Sequence, residues 1–291
     1  MKNRKSILYV LVFVLVVMVA ATAADAPNLT FKFTKVDVPG AIDTTISGVN
    51  NAGAVVGVYA DKNSAFHGFI LKGENVTTID HPNGTHTNCN AINKTGVIVG
   101  FYQDAKHLTH GFSFQKAKFT DIPGPSGATQ SLARGINDGG EIVGAYVDSN
   151  GVLHGFLLKG KAYTTLDVPG AMWTQATDIN NRGRITLDWL DSKYVLNSSL
   201  YDGKTYKTID VPGAAVSISF GIDNAGEVVY GWLDSSNNAH GALLHERKYY
   251  KFNFPKSVQT YGERINDRHL IVGSYQTTTA GPWQGYKATY K

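Results

Sequence analysis

Four histidines each follow an aspartate at a spacing of six residues, a regular combination of side chains that could do chemistry. The pairs are Asp61 with His67, Asp104 with His110, Asp148 with His154, and Asp234 with His240. An aspartate beside a histidine can act as an acid–base dyad. Four equivalent pairs spread along a chain cannot converge on one substrate, so we interpret each pair as a hydrogen bond that holds a turn.

The pairs belong to a unit of about 43 residues that the chain repeats six times. Its clearest landmark is an Asp-x-Pro segment, whose copies begin at Asp37, Asp80, Asp121, Asp167 and Asp210, with a weaker copy at Asn253. Within each copy, short β-branched and aromatic runs alternate with Gly, Asn and Asp turns, and no helical periodicity is present. Four short strands per repeat are typical of a β-propeller blade.

The two ends of the repeat region complement each other. Residues 31–37 resemble the fourth strand of a blade without the three before it, and the last copy supplies three strands without a fourth. Pairing them would remove an exposed sheet edge. The sequence therefore predicts an all-β fold, a six-bladed propeller of four-stranded antiparallel blades, with the N-terminal strand completing the last blade. The recurring Asn-x-x-Gly segments are predicted to form tight turns rather than metal sites.

Candidate binding residues are found where the copies disagree, because what the scaffold needs is common to all of them. The deviating residues are Trp173, His86, Asp178, Arg264, Trp189 and Trp232. Asp178 and Arg264 replace small residues of the innermost strand and should bring charge towards the central channel, either for a ligand or as a solvated ion pair that contributes little to stability. We expect Trp173, His86, Asp178 and Arg264 near one face of the propeller or on the inner strands. Trp189 and Trp232 replace a tyrosine and could equally fill the space between blades.

Composition excludes several classes of protein. The chain has 291 residues, 43% apolar residues, a formal charge of +4 and one cysteine, Cys89. Without a concentrated basic stripe no nucleic-acid partner is expected, and a disulfide framework is excluded. Three cations precede an apolar run from Ile7 to Ala20, which predicts a signal peptide over residues 1–23. A short leader (24–30) and the propeller (31–291) follow, with no later membrane span. The predicted location is secreted, extracellular or periplasmic.

The repeat resembles a known family of bacterial extracellular repeats, the HAF family, whose name comes from a His-Ala-Phe signature. The resemblance rests on the Asp-Val-Pro-Gly-Ala, Gly-Ile-Asn-Asn, Ile-Val-Gly-x-Tyr and His-Gly-Phe elements and extends over residues 31–291. Here the middle residue of the signature is glycine, and the fourth and sixth copies depart from it. The resemblance implies an exported repeat protein without an established activity, and it supplies no catalytic residues.

Two functions remain open at this point. The first is an extracellular binding or scaffold module, acting as a monomer, with a glycan or protein ligand on one propeller face. The second is a hydrolase or lyase for an extracellular polysaccharide, with its site at the channel mouth. The sequence contains neither a Gly-x-Ser-x-Gly elbow nor a His-Glu-x-x-His helix, which favours binding. No cofactor is predicted; residues 148–151 resemble the start of a calcium loop but lack the later ligands.

Overall fold

A computed structural model describes residues 29–291, and the predicted signal peptide (1–23) and the leader as far as residue 28 lie outside this range. The described residues form 24 strands. They contain no helix with the length and hydrophobicity that a membrane crossing requires.

Each blade is a four-stranded antiparallel sheet, and its strands are called a to d from the channel outwards. The first strand in the chain is β1 (Phe31–Val36). Blade 1 contains β2 (Asp43–Val49), β3 (Val55–Ala60), β4 (Phe66–Lys72) and β5 (Asn75–Ile79). Blade 2 contains β6 (His86–Ile92), β7 (Ile98–Gln103), β8 (Thr109–Gln115) and β9 (Lys118–Ile122). Blade 3 contains β10 (Gln130–Ile136), β11 (Ile142–Val147), β12 (Leu153–Lys159) and β13 (Ala162–Leu166).

The second half of the ring repeats this order. Blade 4 contains β14 (Trp173–Ile179), β15 (Ile185–Leu190), β16 (Leu196–Tyr201) and β17 (Tyr206–Thr208). Blade 5 contains β18 (Val216–Ile222), β19 (Val228–Leu233), β20 (Ala239–His245) and β21 (Lys248–Phe252). Blade 6 contains β22 (Gln259–Ile265), β23 (Ile271–Gln276) and β24 (Gln284–Tyr290), and β1 is its outermost strand.

The ring closes as predicted. Strand β1 pairs antiparallel with β24, from Phe31 opposite Tyr290 to Val36 opposite Gly285. The ring of Phe33 packs against three aromatic rings of blades 5 and 6 at centroid distances of 5.4–6.1 Å. The six-bladed propeller and its closure by the N-terminal strand are therefore confirmed.

A β-bulge interrupts every inner strand at the same repeat position. In blade 1 the register shifts between Ile46 and Gly48, so Ser47 is the extra residue. The bulge residues of the six blades are Ser47, Asn90, Arg134, Thr177, Phe220 and Glu263. A bulge leaves one residue outside the ladder and re-aims its side chain. We call these six residues the bulge ring.

The turns between strands a and b form a second ring, on one face of the propeller. The side chain of Asn50 accepts hydrogen bonds from the N–H groups of Ala52 and Ala54, and its Nδ2 donates to the carbonyl of Asn93 in the next blade. The same bond to the following blade recurs from Asn93, Asn137, Asn180 and Asn266. An aspartate cannot donate such a bond, and at Asp223 the ring is interrupted. We call this side of the molecule the a–b face.

Candidate functional site

One arginine closes the central channel. The guanidinium of Arg264, on β22, donates to the bulge-residue carbonyls of all five other blades. Its acceptors are Ser47 at 3.2 Å, Asn90 at 3.2 Å, Arg134 at 3.0 Å, Thr177 at 3.4 Å and Phe220 at 3.1 Å. A guanidinium has five N–H donors, and buried carbonyls outside the ladder need a partner. Arg264 therefore hydrogen-bonds to every other blade of the ring.

Asp178 completes this closure. Its Oδ1 lies 2.6 Å from Nη1 of Arg264, and its Oδ2 accepts the backbone N–H of Ile222 at 3.0 Å. The two side chains are 5% and 7% exposed. Glycine at the equivalent position of blade 3 makes room for the carboxylate, because a Cβ on Gly135 would lie 2.7 Å from Oδ1. Both residues bring charge to the channel, but the alternative of a solvated ion pair was wrong, because the pair is buried and closes the channel.

A cavity of about 260 Å³ lies beside Arg264, at the level of the bulge ring. Its walls combine charged, amide, hydroxyl and aromatic side chains. The lining residues are Ser47, Asn88, Asn90, Phe101, Arg134, Thr177, Phe220, Glu263 and Arg264. A separate shallow depression, lined by the a–b turns, also has Arg264 in its wall. The arginine thus divides the channel, and the cavity faces away from the a–b face.

Several polar groups of the cavity lack a partner among residues 29–291. Nε of Arg134 and Oδ1 of Asn88 are buried without a hydrogen bond. Arg134 and Glu263 line the same cavity, yet no ion pair within 4.0 Å joins them in the described part of the chain. Burial raises the pKa of Glu263 to about 7, although Arg134 and Arg264 oppose the shift. Unpaired buried groups around a cavity are typical of a site that a polar ligand completes.

Aromatic rings lead from this cavity towards the opposite face. Phe220 lies in the cavity wall, and its ring centroid is 6.3 Å from that of Tyr261. Tyr261 lies in turn 5.5 Å from Trp283, in the loop before β24. Trp283 and Asp43 border a further pocket of about 370 Å³ between the last and first blades. The cavity and this outer pocket are therefore connected by aromatic surface.

The structure does not bring all the predicted binding residues together. Trp173 and His86 both begin an inner strand, and Asp178 lies five residues further along the same strand as Trp173, about 16 Å away at 3.3 Å per residue. The ring of His86 packs on Phe66 of the preceding blade, at 5.3 Å. Trp173 and His86 therefore lie by grooves between blades, at the end of the strands away from Arg264. All four residues lie on inner strands, but Trp173 and His86 begin their strands whereas Asp178 and Arg264 lie near the far end of theirs, so the two pairs do not share one mouth.

The two strand-b tryptophans have different surroundings. Trp232 is 7% exposed, stacks on His240 at 4.6 Å and has the ammonium of Lys251 4.0 Å from its ring centroid. Its indole N–H donates to the carbonyl of Gly241, and with His240 and Lys251 against a side chain so little exposed, the ring has no open surface for a ligand. Trp189 is half-buried and donates to Ser199 at 2.9 Å. Trp232 is a packing residue, and Trp189 is tied to its own blade.

The histidine–aspartate pairs span the turns between strands b and c, and the predicted hydrogen bond forms in two of the four. His110 and Asp104 are 3.0 Å apart, as are His240 and Asp234. The other two pairs are 3.7 Å apart, too far for a hydrogen bond, and the prediction was wrong there: His67 bonds to Asp80 at 2.9 Å and His154 to Asp167 at 2.8 Å, both at the end of strand d. Each aspartate of the four pairs also accepts two backbone N–H bonds within its turn. The bond from His110 is the largest cause of the lowered pKa of Asp104. Since each pair lies in its own blade, the four do not share a site.

Comparisons with known proteins address the fold. No family model and no curated protein matches the chain. Among solved structures, it is similar to the SapL1 lectin in complex with alpha methyl fucoside, with a TM-score of 0.57 and 12% identity over 84% of this chain and 92% of that one. A fucose-specific lectin from Aleuria aurantia gives 0.51 and 14%, over 89% and 96%. TolB from Acinetobacter baumannii gives 0.58 and 13%, over 82% and 66%. At such identities the likeness supports the propeller fold alone.

Of the residues that line the cavity, the sequence pointed to Arg264 alone. Asp178 and Arg264 lie one position after the bulge residues of their strands. That neighbouring position holds a different residue type in every copy, and this divergence was the available signal. The bulge is what brings two successive residues of each inner strand into the channel region.

Proposed function

We propose that this protein is an extracellular binding module that holds one sugar residue of a glycan in the central cavity. The observation that carries the proposal is the pair of charged side chains, Arg134 and Glu263, which line one cavity without bonding to each other. Sugar hydroxyls both donate and accept hydrogen bonds, so they can satisfy a guanidinium, a carboxyl group and the amides of Asn88 and Asn90 together. Phe101 and Phe220 offer apolar surface to the C–H face of a sugar ring.

The size of the cavity limits what it can hold. Its volume of about 260 Å³ lies just below the range of roughly 300–1,000 Å³ usual for pockets that enclose drug-sized ligands. Arg264 closes it towards the a–b face, so a chain cannot thread through. The proposed ligand is therefore a terminal sugar that enters from the opposite face, past Tyr261 and Trp283.

Charge favours an acidic sugar. Arg264 is neutralised by Asp178, whereas Arg134 has no ion-pair partner within 4.0 Å in residues 29–291. A guanidinium binds a carboxylate through two parallel hydrogen bonds. Below pH 7 a protonated Glu263 would add a donor rather than a repelling charge. A uronic acid fits this combination better than a neutral hexose.

The fucose-binding lectins of similar fold lend support of a general kind, since two neighbours described as lectins share this architecture. The proposal includes export by the segment at residues 1–23, membership of the HAF-like repeats and action as a monomer. None of these affects the choice of the cavity, which rests on its lining residues.

The experiment is a glycan array followed by calorimetric titration of the sugars retained. Purified wild-type protein is compared with Arg134→Met and Glu263→Gln. Matched controls are Arg182→Met and Glu74→Gln, which change exposed residues of the same types. We expect saturable binding that is at least tenfold weaker in the cavity variants and unchanged in the controls. Absence of binding to every glycan, or equal binding by the cavity variants, would overturn the proposal.

The alternative of a hydrolase or lyase has one observation in its favour. A carboxyl group with a pKa near 7, as at Glu263, suits a general acid at neutral pH. The same oligosaccharides are therefore incubated with the protein and examined for cleavage. Turnover that Glu263→Gln abolishes would establish the enzyme; saturable retention of intact sugar supports the binding module. Asp178 and Arg264 are unsuitable for this test because they close the channel.

A further inference from the structure

A cluster of ligand-type side chains lies at the junction of blades 5 and 6, apart from the central cavity. We call Asp223, Glu227, His245, His269 and Tyr290 the junction cluster. One ligand atom each from Asp223, Glu227 and His269 lies within 4.8 Å of the others. The first two are 3% and 7% exposed, while His269 is exposed. The two carboxylates are thus buried, while the imidazole lies where an ion from solvent can reach it.

Contacts within the junction cluster orient these groups and leave ligand atoms free. Oδ1 of Asp223 accepts the N–H groups of Gly226 and Glu227, both at 2.9 Å, while its Oδ2 has no hydrogen bond within the described chain. The carboxylate of Glu227 is bonded by His245 Nδ1 and by the hydroxyl of Tyr290. His245 therefore keeps Nε2 available, and the ring of His269 stacks on Tyr290 at 5.2 Å.

Several repeat positions depart from their copies here together. Asp223 replaces the asparagine of the other five turns and interrupts the ring of bonds between them. His269 replaces the glycine of those turns, although its φ of 58° lies in the left-handed region that favours glycine. His245 stands where two other copies have Lys72 and Lys159. The scaffold forms without any of these substitutions in the other blades, so it does not require them.

The charges of the junction cluster also favour a bound cation. Two carboxylates are buried beside each other, and among the described residues His245 alone forms an ion pair with either of them. Buried carboxylates without cationic partners are costly. Two carboxylates and the imidazole of His269 form a mixed oxygen and nitrogen donor set, which suits zinc and other divalent transition metals rather than magnesium or calcium.

We propose that Asp223, Glu227 and His269, with His245 beside them, bind a divalent transition-metal ion, for which Zn²⁺ is the probe. The site links two residues of blade 5 to one of blade 6, the blade that β1 completes. Metal binding would therefore stabilise the closed ring. The site gives a second role to two of the six a–b turns, those of blades 5 and 6, and it is independent of the sugar site.

The test measures unfolding of the full protein after treatment with EDTA and then with added Zn²⁺, Ca²⁺ or Mg²⁺. Zn²⁺ at 100 times its Kd should raise the folding equilibrium constant about 100-fold, with one ion per chain by calorimetry. Asp223→Asn and His269→Gly introduce the residues of the other copies, so both should fold. They are expected to lose the zinc response and to be at least as stable as the wild type without metal.

A matched control separates this site from zinc binding by surface histidines. His107 is exposed and also has a positive φ, 61°, in a turn of blade 2. His107→Gly should keep the full zinc response. An equal response in Asp223→Asn and the wild type, no stabilisation of the wild type by Zn²⁺, or loss of the response in His107→Gly would each overturn the proposal.

Discussion

Replacing Arg264 with alanine tests the claim that one side chain holds six blades together. The other copies have glycine or alanine at this position in four cases, Gly48, Ala91, Gly135 and Gly221. The backbone therefore accepts alanine there, and the substitution removes only the guanidinium and its stem. Any loss of stability will report the contacts of that group rather than a strained main chain.

The expected loss follows from the contacts. Alanine leaves Asp178 buried without its ion-pair partner, 2.6 Å away in the wild type, and removing one partner of a buried pair costs about 3–5 kcal/mol. Five carbonyls also lose a charged donor. Each such bond contributes about 1.5–3 kcal/mol, but water entering the vacated channel replaces much of this. We therefore expect Arg264→Ala to lower the free energy of unfolding by about 4 kcal/mol.

A double-mutant cycle with Asp178→Ala sharpens the prediction. That single change leaves the arginine bonded to its five carbonyls, so we expect a smaller loss, about 2 kcal/mol. Because the double variant leaves no orphaned carboxylate, its loss should be close to that of Arg264→Ala alone. The resulting coupling is about 2 kcal/mol, within the range for directly bonded residues. Arg264→Lys keeps one charge but cannot reach all the carbonyls, and should fall between.

The assay is equilibrium unfolding in urea, followed by circular dichroism and by tryptophan fluorescence. All variants must unfold in one transition with a similar dependence on denaturant for the comparison to hold. A loss of less than 1 kcal/mol in the free energy of unfolding for Arg264→Ala, or strictly additive losses in the double-mutant cycle, would refute the claim that this arginine holds the six blades together.

Three further predictions use the same assay. Burial raises the pKa of Glu263 to about 7, so the carboxyl group stays protonated in the folded chain up to about pH 7. The free energy of unfolding of the wild type should therefore fall as pH rises from 5 to 8, and the fall should be about 2.5 kcal/mol smaller in Glu263→Gln. Parallel plots of stability against pH for the two proteins would contradict this. Phe33→Ala, in the closing strand, should cost about 3 kcal/mol and expose the edge of blade 6, detectable by size-exclusion chromatography; an unchanged midpoint would argue against closure by β1. Asp104→Ala should destabilise the protein more than His110→Ala, because two backbone N–H groups of its turn lose the oxygen that accepts both of them; the reverse order would contradict a turn-holding role for the aspartate.

The repeat determined how much of the fold could be predicted. Strands, turns and blade closure each follow from local signals that recur every 43 residues or so, and a ring explains the split last blade. Asp178 and Arg264 were found because charge in the innermost strand stands out against glycine. An ion pair between them was one of two predicted alternatives, but it was predicted to be solvated; its burial depends on the packing of all six inner strands, which the sequence does not show.

The cavity could not be predicted, for a geometric reason. In a regular strand, side chains alternate between faces, so a pattern argument assigns one of two neighbours to the channel. The bulge breaks this alternation and brings both Glu263 and Arg264 to the channel region. The sequence did not point to Trp283 because the connection before β24 is longer than the equivalent connections of the other repeats. Trp283 therefore has no counterpart with which it could be compared.

The most direct test of the proposed sugar site is a crystal structure of the protein with a glycan selected by the array. We expect one terminal sugar beneath Tyr261, bonded to Arg134 and Glu263, with Arg264 still bonded to the five bulge carbonyls. A sugar bound only in the grooves between blades, with the central cavity holding water alone, would contradict it.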